Sequence, residues 1–133
     1  MALTEGTRVI VAAAPDIGIY MECSADVVQG DALTIDAAGT VSAADSDDGD
    51  QVRLIAGEAG ADGSIIQCYW FAVIDGFTDG TEAAAVYLSG TAGQYTETAD
   101  TDASDTDTII GYVLTETKIM VMPGVRADST ASG

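Results

Sequence analysis

Apolar residues in this chain recur mostly at every second position, the period of a β-strand that covers a core with one face. Ile17, Ile19, Met21 and Cys23 fall on one side, with Gly18, Tyr20 and Glu22 opposite. Leu33 and Ile35 alternate with Thr34 and Asp36. Ile119, Val121 and Pro123 alternate with Met120 and Met122, which predicts a strand apolar on both faces. The run Ser64–Ile74 is rich in β-branched and aromatic residues and ends at Asp75-Gly76, so it reads as the strongest single strand. Tyr69 and Phe71 should share one face of it and Trp70 the other, as core or as subunit interface.

Turn signals punctuate these runs at Gly30-Asp31, Ala38-Gly39, Asp48-Gly49, Asp62-Gly63, Asp75-Gly76, Asp79-Gly80 and Ala92-Gly93. A spacing of about 8–12 residues between turns is that of a β-sandwich or small barrel. No helical stripe exceeds two turns, and Asp79–Ala85 is the one place where a short helix fits. The expectation is therefore an all-β fold, a small β-barrel or β-sandwich with short strands and acidic turns. Residues 1–16 read as an extended N-terminal arm, 17–124 as the β-domain, and 125–133 as a loose, small and polar C-terminal tail.

The chain also resembles itself. Ala38-Gly39-Thr40-Val41-Ser42 matches Ala92-Gly93-Gln94-Tyr95-Thr96 at an offset of 54, which also pairs Asp48 with Asp102, Ile55 with Ile109 and Gly57 with Gly111. With a one-residue slip, Leu33 and Ile35 match Val86 and Leu88. Either the chain holds two similar β-modules, or an Ala/Gly/Asp-rich composition produces the matches by chance.

Charge changes the picture. The 133 residues carry 22 acids against four basic residues, with no histidine, for a net charge of -18, yet 47% of residues are hydrophobic. Disordered acidic tails lack that apolar content. At about 1 M salt the Debye length falls to roughly 3 Å, and the mutual repulsion of surface acids is screened. An acidic coat over a foldable core, with a single lysine, Lys118, points to a halophilic setting. The same field opposes nucleic-acid binding. No membrane span is long enough to be read, and the N-terminus lacks the pattern of a signal peptide.

Without histidine, neither Ser-His-Asp nor Cys-His catalysis can be built from this chain alone. Cys23 and Cys68 stand 45 residues apart and read as small buried residues, with a disulfide left open. No nucleotide-binding glycine motif occurs, and no cofactor is expected. Two acidic loops supply the only candidate metal ligands: Asp45, Asp47, Asp48 and Asp50, and Asp100, Asp102, Asp105 and Asp107. The first fails the EF-hand pattern, because Gly49 comes one place early and Ala56 replaces the twelfth-position Glu. Hard oxygen ligands attract Mg²⁺, Ca²⁺ or Na⁺, but a solvated turn screened by diffuse ions is the simpler reading.

The order of motifs resembles that of a known family. Gly30-Asp31-Ala32-Leu33-Thr34, Gly39-Thr40-Val41-Ser42-Ala43, Leu54-Ile55-Ala56-Gly57-Glu58-Ala59, Ala84-Ala85-Val86-Tyr87-Leu88 and Ile109-Ile110-Gly111-Tyr112-Val113-Leu114 follow one another. Over residues 28–122 this is similar to the small capsid decoration (cement, head-stabilising) proteins of tailed double-stranded DNA viruses. The acidic insertions and the Trp-centred strand depart from that pattern. The resemblance implies a non-enzymatic virion protein, made in the host cytoplasm, that coats the outer capsid surface, commonly as a homotrimer, and bridges major capsid proteins. With the acidic coat, a virus of haloarchaea is the expected source. Leu3, Arg8, Val9, Ile10, Trp70, Met120 and Met122 are the expected capsid or subunit contacts, with Arg8 as an anchor in the arm. The rival readings are a turret, spike or fibre module binding a host surface or another virion protein, and a cellular halophilic β-domain.

Overall fold

The computed structural model describes residues 2–13, 18–102 and 105–124. The chain is all-β, and the described residues form eleven strands: β1 (Val9–Ala13), β2 (Ile19–Glu22), β3 (Ala32–Ile35), β4 (Val41–Ala43), β5 (Leu54–Ala56), β6 (Ile65–Tyr69), β7 (Ala72–Asp75), β8 (Ala85–Leu88), β9 (Tyr95–Thr96), β10 (Ile109–Thr115) and β11 (Lys118–Val121). They form two antiparallel sheets, one of six strands ordered β1-β7-β11-β10-β8-β9 and one of five ordered β2-β6-β5-β3-β4. The arrangement is sandwich-like rather than a closed barrel. The tail expectation for 125–133 lies outside the described residues, as does Ile17.

The internal repeat is visible in the topology. In chain order, β2 to β6 lie first-fifth-fourth-second-third across their sheet, and β7 to β11 lie in the same order across theirs. Ile19–Glu22 maps onto Ala72–Asp75, Ala32–Ile35 onto Ala85–Leu88, and Lys118 onto Ile65, each 53 positions apart. The turns match as well, since Gly39 and Gly93 share the same left-handed φ of 78°. At Gly93 a side chain would also meet the Asp31 carboxylate at 2.6 Å, so glycine is required twice over.

The run Ser64–Ile74 is not one strand. It bends at Trp70-Phe71, so that β6 belongs to one sheet and β7 to the other. The repeat explains the break: one module's last strand and the next module's first strand are joined directly, and each must sit inside a different sheet. Asp79–Ala85 is a turn rather than a helix, because Asp79 (φ 59°) and Ala83 (φ 66°) are left-handed.

Each module has its own apolar core. Met21, Leu33, Val41, Ile66 and Cys68 pack together in the first; their repeat equivalents Ile74, Val86, Tyr95, Ile119 and Val121 pack together in the second. An isolated bridge between Cys23 and Val41 draws the end of β2 to β4, the far edge of the same sheet, so the first sheet curls around its core. The opposite side chains of β3 and β5, Ala32 and Ile55, point into the second module's core along with Ala44 and Val52. β3 and β5 are thus buried on both faces and form the wall between the modules.

The first residues do not stand away from the domain as an arm. β1 pairs with β7, Thr4 bridges to Thr78, Leu3 is in the second core and Ile10 packs against it. Both cysteines are buried and free; burial raises both thiols, Cys68 to about 12, which leaves them unreactive.

Candidate functional site

The acidic loops follow β4 and β9, equivalent places in the two modules. Ser46–Asp48 forms a short 3-10 turn capped by Asp45, whose carboxylate accepts the Asp47 N–H at 2.9 Å. The Asp45 N–H donates to Asp50 at 3.0 Å, so both acids serve their own loop. In the second loop the Asp102 N–H donates to Asp100 at 3.2 Å. The two loops then meet. Ser46 Oγ donates to Asp100 Oδ2 at 3.0 Å across 54 residues, the repeat offset itself, and the Thr106 N–H donates to the Ser46 carbonyl at 3.1 Å.

This contact gathers Asp47, Asp100 and Asp105, with one carboxylate oxygen from each within 4.8 Å of the others. Burial, then the neighbouring Asp100, raises Asp105 to about 6. Burial and the adjacent Asp45 and Asp100 raise Asp47, while the Asp102 N–H lowers Asp100. Chemically, three converging carboxylates hold either a shared proton or a hard cation. Of the eight acids read from sequence, these three converge among the described residues. Asp45, Asp48, Asp50, Asp102 and Asp107 do not join the group.

Arg8, expected as an anchor in the arm, is buried. Its guanidinium pairs with Asp31, approaches Glu5 at 3.4 Å and donates to the carbonyls of Gly30 and Gly93 at 3.1 and 2.8 Å. It also stands 5.9 Å from the Tyr95 ring centre. The Tyr95 hydroxyl donates to the Gly30 carbonyl at 2.8 Å and its N–H donates to Glu5 at 2.9 Å. Desolvation raises Glu5 and Asp31, with Arg8 opposing the shift in both. The knot ties the N-terminal segment to both modules. A cleft of about 410 Å³ opens beside it, lined by Glu5, Arg8, Val28, Gln29 and Gln94. Every Arg8 contact named above is made within the protein, so the arginine is a structural clamp.

The outer face of the six-stranded sheet is different in kind. Register places Ala12, Val73, Met120, Tyr112 and Ala85 in one row across five strands. Beside it lie Met122, Ile109 and Tyr87. Tyr112 is 43% exposed, Met122 44% and Ile109 48%. The charged side chains on these strands are Asp75 and Lys118, which face each other at 4.0 Å. The chain's single lysine therefore sits opposite the one acid that the described strands place on this face. At the sheet's edge, β1 carries no charge and leaves Val9 and Val11 each 49% exposed.

The seven contact candidates thus separate. Leu3 and Arg8 are buried, Ile10 is partly buried, and Val9, Met120 and Met122 face outward on one sheet. Trp70, 42% exposed, sits at the bend between sheets rather than on a strand face. Sequence reasoning missed Tyr112 and Ile109, which the register places beside the methionines. It also missed Glu5, Asp31 and Tyr95 as partners of Arg8. The alternation through Ile109–Leu114 was the available signal, obscured by a bulge at Ile110 that puts it and Gly111 both on the inner side.

No family model, curated protein or solved structure matches the chain.

Proposed function

We propose that this protein is a non-enzymatic structural protein that decorates the outer surface of a viral capsid and stabilises the shell by bridging major capsid proteins. The observation that supports the reading most is the uncharged β1 edge with its exposed valines, in a chain of net charge -18. Folded proteins normally guard an open edge strand with charge, because its free backbone groups pair with other chains. Here the guard is a single bulge at Val11. An added strand from a capsid protein would gain backbone hydrogen bonds along β1 and bury Val9 and Val11. Binding confined to the assembled shell shifts the assembly equilibrium towards the shell, and many weak contacts add up over many copies. The acidic coat suits this work in concentrated salt, where repulsion between neighbouring copies is screened.

The test is binding of the purified protein to shells of the virus that encodes it, stripped of decoration, at about 3 M NaCl, where screening is nearly complete. Saturable binding that covers the shell and delays its thermal disruption is expected, with Val11→Asp weakening it at least tenfold. Binding confined to the vertices or tail would replace this reading with another virion role, and absence of binding would overturn it.

A further inference from the structure

We draw no further inference here: the strongest candidate, the side-chain cluster of Asp47, Asp100 and Asp105 where the two acidic loops meet, is a group of carboxylates alone, with no second feature among the described residues that points to a ligand.

Discussion

The two halves of this molecule share a strand order and differ in what their faces meet. In the first, the sheet curls until β2 and β4 touch at Cys23 and Val41, closing a small core on itself. In the second, the sheet is extended by β1 and its core is sealed from outside, by Ala32, Ala44, Val52 and Ile55 of the first. The lesson is that topology and surface chemistry are separable. Turn residues and alternation suffice to specify the order of strands twice, while the residues on the wall strands decide which module's core is sealed by the other.

The sharpest way to break the comparison is to cut the clamp that holds both halves. Arg8→Ala leaves Asp31 buried without its cation, next to Gly30 and Gly93 from the two modules. A loss of about 3–5 kcal/mol is expected in urea unfolding at high salt. A loss under 1 kcal/mol would mean that the knot is solvated. Matched core truncations come next. Ile66→Ala and Ile119→Ala are equivalent deletions in the two cores, each expected to cost about 2–5 kcal/mol. Because β3 and β5 belong to both cores, both variants should lower one shared transition followed by calorimetry. Two separate transitions would show that the modules fold independently.

A smaller effect lies where the acidic loops meet. The folded-state value of Asp105, about 6, lies above its ordinary 3.8. The folded protein therefore holds that proton more tightly than the unfolded chain. The stabilising contribution is complete below 3.8 and is lost as pH rises through about 6. Asp105→Asn should flatten the fall of the melting temperature across that window, measured at constant ionic strength; an unchanged slope would assign the pH dependence elsewhere. Smallest of all is the response to calcium. With the proton shared between Asp105 and Asp100, added calcium at constant ionic strength should leave the melting temperature unchanged near pH 5. A rise of several degrees would make the triad a cation site.

Much of this was legible in the chain. Period-2 alternation and regular turn residues are local properties, so the all-β class and most strands followed from them. The repeat was legible at Ala38–Ser42 and Ala92–Thr96 because turns demand particular residues, above all the left-handed glycines at 39 and 93. What escaped was non-local. Nothing in Ser64–Ile74 marks the bend at Trp70-Phe71, since residues on both sides favour strands. Arg8 looked free because its partners Asp31 and Tyr95 lie far along the chain. In sequence the metal candidates lie in two separate loops, and their meeting through Ser46 and Asp100 depends on how the modules dock.

The most direct test of the account is hydrogen exchange of the protein, free and bound to stripped shells at high salt, read by mass spectrometry. The account predicts that binding protects the backbone of β1, the edge of the six-stranded sheet, several-fold and leaves β4, an edge of the other sheet, as it was. Unchanged exchange in β1 on saturated shells, or protection confined to β4, would contradict it.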